Sequence, residues 1–248
     1  MRTTTARIGL WLGLAAAGTF GFLPPAQAQA TVVARIGGED FPCDASNERY
    51  RQGCARIVFG MARARAEEDF IVRHGLRATD AEVAELVAYN RAFDLHDRDQ
   101  RARKLADLKA RLAASTDAAE REHLERFRTV LTRLASYEAD VDAGIEERVV
   151  VPTETLGRWV ETHKLNAALY RVYGGTVGLT AAGPYPHAAK AALVAEYVAA
   201  NGVEFVDPEI GRRFRALLHA PPKLVFVGER PDFTPYWKRP IPASYMAD

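Results

Sequence analysis

The run His74-Gly75-Leu76-Arg77-Ala78-Thr79-Asp80-Ala81-Glu82-Val83 stops one helix and starts the next, and its reading sets the fold class. Gly75 supplies the left-handed residue that closes a helix C-terminus. Thr79 and Glu82 form a capping box, in which the threonine hydroxyl accepts from the Glu82 amide and the Glu82 carboxylate reaches back. Upstream, Tyr50, Cys54, Ile57, Val58 and Met61 fall on one face of a long helix whose cap is Asp44 or Ser46. Downstream, the capped helix is expected to bury Val83, Leu86, Val87 and Phe93.

Working outward, a charged helix follows around Leu105, Leu108 and Leu112, and Asp117 with Glu120 marks another start. Leu124, Phe127, Leu131, Leu134 and Val141 keep a 3-and-4 spacing, which predicts an antiparallel hairpin between helices near 97–114 and 117–143. Val149 to Val151 reads as a linker or short strand closed by Pro152. Thr153 caps a helix that is apolar over most of its circumference, as core helices are. It stops at Gly174-Gly175. Pro184 and Pro186 introduce a further helix that ends at Asn201-Gly202, and Asp207-Pro208 caps the next. Leu224 to Val227 reads as a strand. The tail, with Pro231, Pro235, Pro240 and Pro242 among Phe233, Tyr236, Trp237 and Tyr245, is expected to lie extended on the folded body.

At the other end, Val32 to Ile36 and Gly37-Gly38 read as a strand and turn. Residues 1–30 have the layout of a cleavable secretory signal: Arg2 and Arg7, an apolar stretch from Ile8 to Leu23, Pro24-Pro25, then Ala26-Gln27-Ala28 and Ala28-Gln29-Ala30. The apolar stretch is shorter than the roughly 20 residues a membrane-spanning helix wants. The expected location is therefore periplasmic or secreted, with no stable membrane span after cleavage. Removing that leader takes away two arginines and no acid, leaving 31 basic against 32 acidic side chains. A charge of −1 offers no footprint for nucleic acid.

Cys43 and Cys54 are the only cysteines. An oxidising compartment favours a disulfide between them. If Ser46 opens the helix, however, Cys54 lies roughly 12 Å along it, so the segment before Ser46 must fold back. A buried free thiol or an intermolecular bridge is the alternative. Two thiols without a neighbouring histidine fall short of a structural metal set.

Two patches carry a family resemblance. Val32-Val33-Ala34-Arg35-Ile36-Gly37-Gly38-Glu39 resembles the opening strand and turn of SurA-type periplasmic chaperone domains, with Gly37 where asparagine is common. His74 to Val83 resembles that family's joint between a long helix and a capped one. The resemblance spans residues 31–95. It implies a mainly α, multi-helix domain with a small β element pairing N-terminal and C-terminal strands, Leu224 to Val227 returning to Val32–Ile36. It also implies binding of unfolded or nascent envelope polypeptides. Many relatives insert a parvulin prolyl-isomerase domain marked by Gly-Gly-Asp-Leu-Gly and an aromatic residue. Gly174-Gly175-Thr176-Val177-Gly178-Leu179 lacks both the acid and the aromatic, and reads instead as a helix stop and loop.

Chemistry-bearing residues are scattered. The six histidines form no helical zinc motif. Asp94, His96, Asp97 and Asp99 cluster without the glycine and terminal glutamate of a calcium loop. Glu154 and Glu161 share a helix face but have no visible acid–base partner. No catalytic, cofactor-binding or metal-binding residue is assigned, and no cofactor is expected. Trp159, Tyr170, Tyr173 and Tyr197 are the candidates for lining a peptide groove; core packing is their other reading. The organisation expected is a leader at 1–30, a SurA-like helical domain with its hairpin at 31–150, and a C-terminal helical segment with strand and tail at 151–248. The function expected is a non-catalytic chaperone-like protein, with a degenerate peptidyl-prolyl isomerase or an envelope assembly partner as alternatives.

Overall fold

The structure, a computed structural model, describes residues 30–180, 183–226 and 230–243. The expected leader, apart from Ala30, lies outside the described residues, as do Val227 and Tyr245. In chain order come β1 (Thr31–Ile36), β2 (Glu39–Cys43), α1 (Glu48–Arg73), α2 (Asp80–Ala114), α3 (Ala118–Asp142) and α4 (Thr153–Tyr173). They are followed by β3 (Gly178–Thr180), β4 (Gly183–Tyr185), α5 (His187–Tyr197), β5 (Val203–Phe205) and α6 (Pro208–Leu218). The fold is mainly α, with a small antiparallel sheet ordered β2-β1-β5 that joins an early strand to a late one.

The sheet begins with a two-residue hairpin. Ile36 pairs with Glu39, and Gly37 and Gly38 between them have φ of 59° and 82°. Positive φ at both central positions is the type I′ turn that matches strand twist, and glycine adopts it without strain. Beyond β2 the Asp44 carboxylate accepts from Ser46 N–H at 2.9 Å, and the chain turns back on itself there. The helix cap is thus neither Asp44 nor Ser46 but Asn47, whose side chain accepts from Tyr50 N–H at 3.1 Å. This reversal brings Cys43 alongside the helix. Its Cα stands 6.1 Å from that of Cys54, and the two are joined in a disulfide.

The face that α1 buries differs from the one its larger side chains suggested. Tyr50 and Ile57 are each 51% exposed, whereas Cys54, Ala55, Val58, Ala62, Ala66 and Phe70 are buried. Three alanines on the buried face let other elements come close. One core cluster unites Val33, Ile36 and Val58 with Val194, Val203, Ile210 and Phe214, so residues on both sides of position 150 share it. A second joins Phe70 to Leu165, Leu169 and Leu193.

The returning strand is not the one expected. β1 pairs on its second edge with β5, through Ala34 with Phe205, Arg35 with Glu204 and Ile36 with Val203. Leu224 to Phe226 instead lies beside β3, where Leu179 N–H donates to Leu224 O at 3.1 Å and Phe226 N–H to Val177 O at 2.8 Å. Val33 O is already taken by the amides of Val206 and Asp207, both at 3.0 Å. Those two amides sit at the start of α6, where Asp207 caps the helix as its pairing with Pro208 predicts. A strand immediately before a capped helix that packs on α1 is held next to β1 by that helix. Leu224 comes after the helix and has no such tether.

Other boundaries shift. The helices expected near 79–93 and 97–114 are one helix, α2, because nothing between them breaks the chain. Thr153 is the first residue of α4 and Pro152 occupies the cap position. Pro184 sits in β4, paired with β3, so the segment expected as a loop contributes a small hairpin. α5 ends in a π turn, Val198–Gly202.

The hairpin of α2 and α3 carries its own core of Leu108, Leu112, Leu124 and Leu131. Arg121 donates to the carbonyls of Leu112 and Ser115, both at 3.1 Å, and so satisfies acceptors left open at the end of α2. At its base Arg98 pairs with Asp142 at 2.9 Å, Arg101 with Asp97 and Glu138, and Arg148 with both Asp94 and Asp142.

Replacing both cysteines by serine removes a short-loop cross-link, and we expect a loss of about 2–3 kcal/mol in denaturant unfolding under oxidising conditions. Leu108→Ala opens a cavity costing about 2–5 kcal/mol in a core confined to the hairpin. Hydrogen exchange is expected to rise across α2 and α3 near the hairpin while Val33 and Phe214 stay protected; uniform loss would show the hairpin is not independent.

Candidate functional site

One face of α4 looks toward the tail. Trp159, His163 and Tyr170 lie four and seven residues apart, so they share a helix face. Leu156 and Val160 hold α4 against α2, packing with Leu86. It is also clamped to the α1–α2 joint. Glu161 accepts from Ala78 N–H at 3.2 Å and pairs with Arg77 at 3.4 Å, while Lys164 donates to Arg77 O at 2.7 Å and to Glu82 at 3.0 Å. The capping box that opens α2 thus also orients α4.

The tail, residues 230–243, crosses this face as an extended segment with one 3₁₀ turn, Tyr236–Lys238. Phe233 lies against Tyr170 at 5.1 Å between ring centroids. Tyr236 meets Tyr89 edge-on at 5.5 Å, and Trp237 meets His163 edge-on at 4.8 Å. Trp237 is buried among Leu86, Leu156 and Val160. Between the tail, α4 and β4 a cleft of about 500 Å³ stays open, walled by Trp159, His163, Pro184, Phe233 and Tyr236, with Arg239 at its edge.

Burial, and secondarily the nearby Arg239 cation, hold the His163 imidazolium form down, so its pKa lies below the ordinary 6.5. A neutral ring suits an aromatic wall. Arg239 is turned to Asp232 at 2.9 Å and to the Thr234 carbonyl at 2.9 Å. Burial raises the Tyr236 phenol as well, keeping it protonated.

A second depression of about 730 Å³ runs along the outer face of α2. Its apolar lining includes Val83, Val87 and Leu95, with Asp80, Arg91 and Thr153 at its borders. Val87, expected in the buried face, is 46% exposed because α4 and the tail cover only the Leu86 side, and Leu95 is 58% exposed. From Asp80 to Leu95 this strip is about 22 Å long at 1.5 Å per residue.

Of the four aromatic candidates, the structure brings together Trp159 and Tyr170, both facing the tail. Tyr173 and Tyr197 are elsewhere. The Tyr173 hydroxyl donates to Glu196 at 2.6 Å, and burial, with that carboxylate, pushes the phenol up to about 12. Tyr197 packs into the junction of the two main core clusters. Both are half-buried against core clusters, and Tyr197 also lines a separate depression of about 580 Å³ with Val72 and Leu193. The residues that complete the cleft, His163, Pro184, Phe233 and Tyr236, come from three distant stretches. Only the crowding of aromatics and prolines in the tail signalled them.

The acidic cluster is engaged by guanidinium groups: Asp94 pairs with Arg98 and Arg148, and Asp97 with Arg101. Glu154 pairs with Arg158, and Glu161 is committed to the joint. Comparisons with protein-family models, curated proteins and solved structures return no match.

The folded chain favours neutral His163, so its packing is at full strength above pH 6.5 and weakens as pH falls through the lowered value. The imidazole proton resonances are expected to titrate below the ordinary histidine range. Arg239→Ala should move the midpoint part of the way back, since burial remains. An unchanged midpoint would remove Arg239 from the account.

Proposed function

We propose that this chain is an exported, non-catalytic, chaperone-like protein that holds unfolded or membrane-destined polypeptides in the periplasm. The observation that carries the reading is the solvent-facing apolar strip along α2. At about 22 Å it matches six or seven residues of extended chain at roughly 3.3 Å each. Val87 and Leu95 stand open to water there, in a part of the molecule where the base of the hairpin is otherwise covered by ion pairs. Apolar side chains such as Val87 and Leu95, left exposed among the described residues, gain by burying a client segment. The aromatic cleft beside Trp159 adds a place for a single large side chain. The likeness of residues 31–95 to SurA-type domains supports the same reading, as do the export-signal pattern and the balanced charge.

The test is aggregation of denatured model proteins diluted into buffer with the folded chain. Suppression near stoichiometric ratio for several unrelated substrates is expected. The double substitution Val87→Asp and Leu95→Asp, at two exposed positions, should cut that suppression by more than half with the circular dichroism unchanged. No suppression by the native chain would overturn the reading in favour of a dedicated envelope partner.

A further inference from the structure

The tail makes contacts that look like those of a bound peptide. Residues 230–243 are extended apart from one 3₁₀ turn and sit on a surface built by other elements, α2 and α4. Two tail residues are buried, Pro231 and Trp237. Trp237 is 8% exposed and inserts between Leu86, Leu156 and Val160. The remaining tail side chains are half-buried or exposed, and one backbone tie reaches α2, where the Gln100 amide donates to the Ala243 carbonyl. Tyr236 is 39% exposed and its hydroxyl reaches Asn90 at a long 3.4 Å, and Lys238 reaches Glu85 at 3.5 Å, both of those side chains more than half exposed. Arg239 turns back to its own segment, to Asp232 and Thr234, rather than to the body.

The anchor itself is incompletely satisfied. The indole Nε1–H of Trp237 is buried and finds no acceptor among the described residues. A buried unpaired donor opposes docking, because the undocked tail would give it water. Next to the anchor the open cleft is walled on one side by the tail's own Phe233, Thr234 and Tyr236. If the tail leaves, that wall leaves with it, and the cleft and the Trp237 seat become one groove bordered by Trp159, His163, Leu86 and Val160.

From one deep aromatic anchor, few polar ties and an unmet donor, we infer that the α2–α4 face is a polypeptide site which the tail occupies in cis, as a displaceable plug. The ligand it takes in trans is an extended segment carrying an aromatic side chain just after a proline, the pattern of Pro235-Tyr236-Trp237. Proline suits it because a fixed φ lowers the entropy lost on ordering an extended strand. The flat walls of His163 and Trp159 suit the ring. Docking of the tail reduces apparent affinity for such ligands by the fraction of molecules in which the tail is undocked. The inference rests on the polypeptide-binding reading, but on a different surface from the α2 strip.

The experiment uses the full chain and a fluorescein-labelled peptide of residues 230–243, followed by anisotropy. Trp237→Ala removes the cis anchor and is expected to bind the peptide at least ~10-fold more tightly than the unsubstituted chain, as release of a mostly occupied site requires. Val160→Asp added to that variant should abolish the gain. Equal binding by both chains, or none by either, with Trp237→Ala natively folded, would overturn the proposal. Should Trp237→Ala lose its native circular dichroism, hydrogen exchange on the unsubstituted chain decides. Excess unlabelled peptide should raise exchange within residues 230–243, and no change at saturating peptide would overturn the proposal. The aggregation assay separates the two readings. Loss of the α2-strip activity with tail competition intact removes the chaperone reading alone, and the reverse result removes the plug alone.

Discussion

The fold depends on burying the small-residue face of α1. Ala55, Ala62 and Ala66 lie on that face with Val58 and Phe70. Small side chains there allow β1, α5 and α6 to approach the helix closely, and the two main core clusters form along its two halves. Burial of this kind is non-directional, so it needs partners that fix the register. The disulfide ties β2 to the first turns of the helix. Near the middle, the Lys190 ammonium is buried against Glu67 at 2.6 Å, with the Tyr185 ring 5.2 Å from the cation. Removal of Glu67 would leave the Lys190 ammonium buried without its carboxylate, whereas Glu67 is partly exposed and also lies 3.9 Å from Arg63; such a pair positions elements more than it stabilises them.

Away from α1 the molecule is joined by polar contacts. Glu161 and Lys164 hold α4 to the start of α2, and the arginine network holds the base of the hairpin. Most of these groups are partly exposed, where ion pairs contribute modestly and mainly set orientation. The hairpin, with its separate leucine core, is an arm joined to the body through the continuous helix α2.

These two modes of construction explain where apolar surface is left uncovered. The body buries apolar residues in two clusters along α1, while Tyr50, Ile57 and Val72 stay more than half exposed. α2 belongs partly to the body and partly to the arm, so only its inner face, with Leu86, is covered by α4 and the tail. Its outer face keeps Val87 and Leu95 in water. The tail covers a neighbouring face with Pro231 and Trp237 buried and its other side chains half-buried or exposed, an arrangement closer to that of a ligand than of a core element.

The sequence by itself determined the local features. The capping box at Thr79, the glycine turn at Gly37-Gly38, the Asp207-Pro208 start and the 3-and-4 leucine spacing of the hairpin each act within a few residues, so each was legible without a fold. Continuity was harder to read: charge between Phe93 and Leu105 suggested a break, yet a solvated stretch carries α2 straight through. The pairing of β1 with β5 rather than with Leu224–Phe226 was decided by tertiary structure, because α6 brings Val203–Phe205 to that edge. The same holds for the site. Trp159, Tyr170, Tyr173 and Tyr197 are all aromatic, but only the first two face the tail, and the cleft that Trp159 borders needs Pro184, Phe233 and Tyr236 from distant stretches. Caps and turns are set by bonds between near neighbours, whereas a strand's partner and a pocket's walls are set by which helix faces bury each other.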